Sequence, residues 1–147
     1  MTTTEGASAP VVAVGVDGSE GAAKALAFAA EEARLRGATL RVVQAWSVPP
    51  VTTLTYVPAE LFDDARLEAE RELDQQVTAA LGFEPHVVVD KRLVEGPPAQ
   101  ALLEQSGDVV LLVVGSRGRG GFGGLVLGSV STQVVHHATC PVTVVRG

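Results

Sequence analysis

The sequence is short of the residues that several kinds of chemistry require. Its single cysteine, Cys140, cannot form an internal disulfide, and the spacing of Cys140 and the three histidines matches no zinc motif. The only lysines are Lys24 and Lys91, and no GxxxxGK[ST] pattern occurs, which excludes a Walker-type phosphate loop. No GxSxG is present either, so the nucleophile elbow of α/β-hydrolases is missing. The longest purely aliphatic run is the six-residue VVLLVV at 109–114, too short to span a bilayer, and the first basic residue is Lys24, too late for a signal peptide. These absences predict a cytoplasmic protein with no membrane association.

Positive charge is scarce as well. Eleven Lys and Arg face seventeen Asp and Glu, a net charge of −6, which argues against nonspecific affinity for nucleic acid or acidic membranes. Acidic residues are themselves missing from one region: none follows Asp108, whereas Arg117, Arg119, Arg146, His136 and His137 all lie there. An anion site is therefore expected near that segment, where the sequence supplies no nearby carboxylate to repel it.

With 147 residues, 46% of them hydrophobic, the chain can enclose one core, so a single domain over 10–147 is expected, preceded by a small, polar, disordered arm at 1–9. VVAVGV (11–16) reads as a buried strand, followed by turn and helix-start residues Asp17, Gly18 and Ser19. Ala22, Ala25, Leu26, Ala29, Ala30 and Ala33 then recur at helical spacing up to Gly37, and the alanines imply a helix lying close to its sheet. A second strand, TLRVVQAW (39–46), leads into a long loop at 47–58 with three prolines. Residues 59–81 form an amphipathic helix whose inward stripe is Leu61, Ala65, Ala69, Leu73 and Val77, with Asp63, Arg66, Glu70 and Arg71 on a solvated face. HVVVDKRLVEG (86–96) is polar enough for an edge strand; Pro97 and Pro98 open a short helix stopped by Gly107; VVLLVV (109–114) is the most apolar and so the central strand. A helix at about 129–137 and a strand at 141–146 complete the chain.

Five alternations of strand and helix are the signature of an α/β fold with a parallel sheet and helices on both faces. Ligands of such sheets bind beyond the carboxyl ends of the strands where the strand order reverses. An order of 3-2-1-4-5 places the first and fourth strands side by side there, and the loops leaving them are DGS and GSRGRGGFGG, the most turn-like segments present. Seven glycines fall between Gly115 and Gly128, more than one turn needs. Without a Cβ, successive backbone N–H groups can converge on phosphate oxygens, and a helix beginning at Ser129 adds unpaired amides and the positive end of its dipole. Gly118, Gly120 and Gly123 spell GxGxxG, but the helix starts later and no acidic residue follows at the expected distance, so dinucleotide binding is not expected.

The spacing Gly115, two residues, Gly118, nine residues, Gly128, Ser129 resembles the GxxGx9G[S/T] signature of the universal stress proteins. VVAVGVDGSEGAAKAL resembles the first strand and helix of that family, and CPVTVVR its last strand, so residues 11–146 are covered. The resemblance implies a Rossmann-like five-stranded parallel sheet, ATP or a related adenine nucleotide (AMP, ADP) with or without Mg2+ as ligand, and a homodimer. By position it places adenine against Val16, Asp17 and Ala45, and ribose and phosphates along Val114, Gly115, Arg117, Gly118, Gly128, Ser129, Val130 and Ser131. Asp17 then meets a ribose hydroxyl, an adenine edge or a magnesium ion. No general base or lysine is placed by the motif, so no catalytic residue is assigned and a regulatory or stress-response role without rapid turnover is expected. A slow ATP hydrolase or nucleotidyl-transfer enzyme of the same fold, and an AMP or cyclic-nucleotide binder acting through its dimer surface, are the alternatives.

The remaining reactive residues have simpler readings. His136 and His137 close a helix, where the dipole favours them, and Cys140 before Pro141 reads as packing. Ser19 reads as a helix cap, and Trp46 ends a strand beside the expected pocket. The last strand, 141–146, leaves the apolar edge of Val142, Val144 and Val145 uncovered, which pairing with a second copy removes.

Overall fold

Strand and helix alternate along the chain as β1 (Val11–Val16), α1 (Glu20–Arg36), β2 (Thr39–Trp46), α2 (Ala59–Leu81), β3 (Val89–Glu95), α3 (Pro98–Glu104), β4 (Leu111–Gly115), α4 (Ser129–His137) and β5 (Val142–Val145). The computed structural model describes residues 9–48, 56–83, 85–117 and 127–147. The expected arm, apart from Ala9, residues 49–55 of the expected loop, and Gly118 and Arg119 lie outside the described residues. The five strands form one sheet in the order β3-β2-β1-β4-β5, each pair parallel. Among the described residues no helix is long and apolar enough to cross a membrane.

The twofold alternation of side chains along the strands divides the core into two layers. Val12, Val14 and Val16 of β1, with Leu40 and Val42 of β2, face α1 and α2. Ala13, Val43, Leu112 and Val114 face α3 and α4. α1 lies close to the sheet because Ala22, Ala25, Ala29 and Ala33 form its buried stripe. Its ends are fixed locally: the Ala22 N–H donates to Ser19 Oγ (3.1 Å), and Gly37, at φ 62, donates back to Ala33 and Arg34.

α2 matches the expected span and is capped by Gly82, but only Ala69, Leu73 and Val77 of its expected stripe are buried. Leu61 stays 39% exposed because the first two turns overhang a cavity rather than the sheet. β4 begins two residues later than expected, ends on Gly115 and lies between β1 and the edge strand β5, so the central strand is β1 and not the more apolar β4. Val109 closes a turn onto the Ser106 carbonyl (3.4 Å), so its burial reflects turn packing rather than strand pairing. β3 is an edge strand as its polarity suggests, but pairing starts only at Val89. α3 ends on Gln105 at φ −88, and Gly107 lies in the following turn instead of stopping the helix.

At the amino end of the sheet, Arg41 of β2 is 8% exposed and ties three segments together. Its Nη1 donates to the Gln105 carbonyl (2.8 Å) and Asp108 Oδ1 (2.9 Å), and its Nε to Asp90 Oδ2 (3.3 Å). A hydrogen bond from Arg92 holds the Asp90 carboxyl below its ordinary range, against partial burial and with help from Arg41. The Arg41 hydrogen bond does the same for Asp108. A depressed folded-state pKa adds stability above the unfolded value, about 3.9 for Asp, and loses it as pH falls through the folded value. The urea midpoint is therefore expected to drop between pH 7 and pH 3, and to drop less in Asp90→Asn. Arg41→Met should cost about 1–2 kcal/mol at pH 7, less than a fully buried pair because Asp108 is largely in water. An unchanged midpoint in Arg41→Met contradicts this role.

Candidate functional site

The loop leaving β1 turns sharply at Gly18, whose φ of 83 favours glycine. The Ser19 N–H donates to Asp17 Oδ1 (2.9 Å) while Ser19 Oγ caps α1, so the DGS segment is closed on itself. The Gly18 N–H donates to Gln76 Oε1 (2.8 Å), and Gln76 Nε2 in turn donates to Gln44 Oε1 (2.7 Å) and to the Glu72 carbonyl (3.1 Å). These two glutamines bind α2 to the β1–α1 turn, a link that no local sequence signal announces.

The exit from β4 lies against the start of α1, backbone to backbone. A Cβ on Gly21 would stand 2.6 Å from the Arg117 carbonyl oxygen, and one on Gly115 would stand 3.0 Å from the Gly21 carbonyl oxygen. Ser116 then joins both ends of the glycine-rich segment. Its N–H donates to the Val145 carbonyl (2.8 Å), while its own carbonyl accepts from the Gly128 N–H (2.6 Å) and from Ser131 Oγ (3.0 Å).

α4 therefore begins at a fixed place without a side-chain cap, because its N-cap is Gly128. The first intrahelical bond runs from the Thr132 N–H to the Gly128 carbonyl (3.0 Å). By helix geometry, the N–H groups of Ser129, Val130 and Ser131 have no acceptor within the helix. Among the described residues no Asp or Glu stands in that first turn to occupy them.

These segments border a cavity of about 780 Å³ at the carboxyl ends of β1, β2 and β4. Val16, Asp17, Ala45, Val114, Gly115, Arg117, Gly128, Ser129, Val130 and Ser131 all line it, and Gly118 lies outside the described residues. Two of them act differently from the sequence reading. The Gly128 N–H and the Ser131 hydroxyl are engaged with the Ser116 and Gly128 carbonyls, so they set the position of α4. Trp46 also lines the cavity and meets Phe62 edge-on, with ring centroids 4.9 Å apart.

The carboxylates around the cavity correct one expectation. The glycine-rich segment has no acidic residue near it in sequence, but the fold brings Asp17, Asp64, Glu68 and Glu72 to the same cavity. The last three stand every fourth residue on α2, so one helix face carries them. Asp63, Arg66, Glu70 and Arg71 are exposed, as expected. Among the described residues no three His, Cys, Asp or Glu side chains are grouped to hold a metal ion. His136 and His137 occupy the last turn of α4, and burial pushes the Cys140 thiol up, away from the reactive thiolate.

The model of the universal stress protein family matches residues 10–146. The chain belongs to that family. A universal stress protein of Mycobacterium tuberculosis, Rv2005c, is 42% identical over 138 residues, which are 94% of this chain and 45% of that protein. The chain thus spans about half the length of the curated relatives it matches. A universal stress protein solved in complex with cAMP is 30% identical, with a TM-score of 0.61 over 94% of this chain and 98% of that one. The universal stress protein of Archaeoglobus fulgidus solved in complex with dAMP is 27% identical, with a TM-score of 0.65 over 93% and 97%.

The contact between Gly21 and the Arg117 backbone makes a direct prediction for this universal stress protein. In Gly21→Ala the new methyl meets a backbone oxygen rather than a movable side chain, so thermal unfolding should show a loss of about 1–3 kcal/mol. Alanine otherwise favours a helix interior over glycine, so an equal or higher melting temperature would show that the two backbones are not held together.

Proposed function

We propose that this chain binds an adenine nucleotide in the cavity, with a phosphate seated on the N–H groups of Ser129, Val130 and Ser131. The observation that carries the reading is the uncapped start of α4 on the cavity wall, locked in place through the Ser116 carbonyl. A helix start of this kind offers convergent donors and a positive dipole end at no cost of reorganisation. The relatives solved with cAMP and dAMP support adenine as the base class.

Adenine packs against Val16, Asp17 and Ala45, beside Trp46, and the ribose and phosphates follow Val114, Gly115, Arg117 and Gly118 to α4. Gly128 and Ser131 shape that path, while Ser129 and Val130 supply donors alongside the Ser131 amide. ATP is the form the glycine spacing implies, and any magnesium ion arrives on its phosphates. The role is regulatory, in a stress response in the cytoplasm, without rapid chemistry. The chain acts as a homodimer through β5, a reading supported by the half-buried valines Val142, Val144 and Val145 on an edge strand.

Ser129→Pro tests the site cleanly. Proline is tolerated at the first helical position, and Gly128, at φ −72 and ψ 172, already has the backbone that precedes a proline. The variant deletes the Ser129 N–H, and the hydroxyl with it, while keeping α4; Ser129→Ala, which removes the hydroxyl alone, is the baseline for comparison. Calorimetric titration should show AMP affinity falling about 10- to 100-fold, the value of one hydrogen bond to a charged group, with adenosine affected much less. Equal AMP affinity in a folded variant rules this helix out as the phosphate seat.

A further inference from the structure

The cavity carries an imbalance of charge that the glycine segment does not reveal. Among the described residues that line it, four are carboxylates (Asp17, Asp64, Glu68 and Glu72) and only Arg117 is cationic. On α2, Glu60, Asp64, Glu68 and Glu72 follow one another at every fourth position, while the helix's arginines, Arg66 and Arg71, fall off that row. Like charges at this spacing repel, so the arrangement gains the helix nothing. Among the described residues, none of the ion pairs uses Asp64 or Glu68.

We infer that Asp64 and Glu68 set how much negative charge the cavity accepts, so that without a metal ion on the phosphates it favours AMP over ATP, and ATP enters with its surplus charge neutralised by magnesium. The inference rests on the nucleotide reading above and specifies which ligands satisfy it. The start of α4 contributes about half a positive charge, and Arg117 adds one more. A single phosphate brings about two negative charges, close to that complement. Two further phosphates bring a surplus that no described cation of the cavity matches and that the α2 carboxylates repel. The repulsion acts across the cavity through space and scales with ligand charge, so it needs no direct contact with the phosphate tail.

At about 10 Å, in low salt, one carboxylate changes the affinity for a ligand carrying two extra charges about threefold. The fluorescence of Trp46, the only tryptophan and part of the cavity wall, reports occupancy directly. The experiment titrates the whole chain with AMP and with ATP, in metal-free buffer at about 10 mM ionic strength, where screening is weak. Wild type should bind AMP more tightly than ATP. In the double variant Asp64→Asn/Glu68→Gln, ATP affinity should rise about five- to tenfold relative to AMP, in Glu68→Gln alone about threefold, and both gains should shrink to about twofold or less at 0.15 M salt. The pair Asp63→Asn/Glu70→Gln removes the same net charge from exposed positions on α2 that do not line the cavity, and its AMP-to-ATP ratio should shift clearly less, by about threefold or less.

If AMP and ATP both bind but their ratio is the same in Asp64→Asn/Glu68→Gln as in the exposed control, the charge inference falls and the nucleotide site stands. A shift of equal size at both salt concentrations also overturns it, because a change in packing is not screened. If neither nucleotide binds any of the proteins, the site reading and the inference fail together.

Discussion

The Ser116 carbonyl, one residue beyond β4, accepts hydrogen bonds from the Gly128 N–H and the Ser131 hydroxyl, and the placement of α4 follows from that pair. Ser116 is itself held by the Val145 carbonyl and by the close contact of its neighbours Gly115 and Arg117 with Gly21 of α1. β4, its edge neighbour β5 and two helices on opposite faces of the sheet thus meet within a few residues. Without this junction the free amides of α4 would exist but would have no fixed direction, and a cavity floor made of backbone dipoles would not persist.

What surrounds those amides is electrostatically two-sided. α4 and Arg117 favour anions, while Asp64 and Glu68 of α2 are the charges inferred to oppose a surplus of them. Gln76 keeps α2 at a set distance by accepting from the Gly18 amide and donating to Gln44 of β2, so the carboxylate row is positioned by the same turn that carries Asp17. Apolar Val16, Trp46, Leu61 and Ala65 lie between these walls, suited to a flat ring rather than to charge. The fold therefore presents attraction and the inferred selectivity from different elements.

Much of this was legible in the sequence wherever the cause is local. Ser19 and Gly37 mark the ends of α1 by their own backbone chemistry, and the spans of α2 and α4 match their periodicity and flanking glycines. Alternation gives the parallel sheet; the site residues were carried over by position from the resemblance to the universal stress proteins, and the described ones line one cavity where β1, β2 and β4 end. The start of β4 was misread because Val109 is buried by a turn, and burial alone does not distinguish a turn from a strand. The carboxylates of α2 were unreadable for a different reason. Asp64 and Glu68 look like any solvated helix face until the first turns of α2 are seen to overhang a cavity. Gly21 is similar: only the three-dimensional approach of the Arg117 backbone shows why a side chain is not accommodated there.

The central claim is that the amides opening α4 receive the phosphate of an adenine nucleotide. Titrating 15N-labelled protein with AMP and following backbone amide resonances tests it at the atoms concerned. The account predicts that Ser129, Val130 and Ser131 show the largest shifts, all saturating together with the signals of Gly115 and Arg117. Saturable binding that leaves those three amides unmoved while shifts gather elsewhere would contradict it.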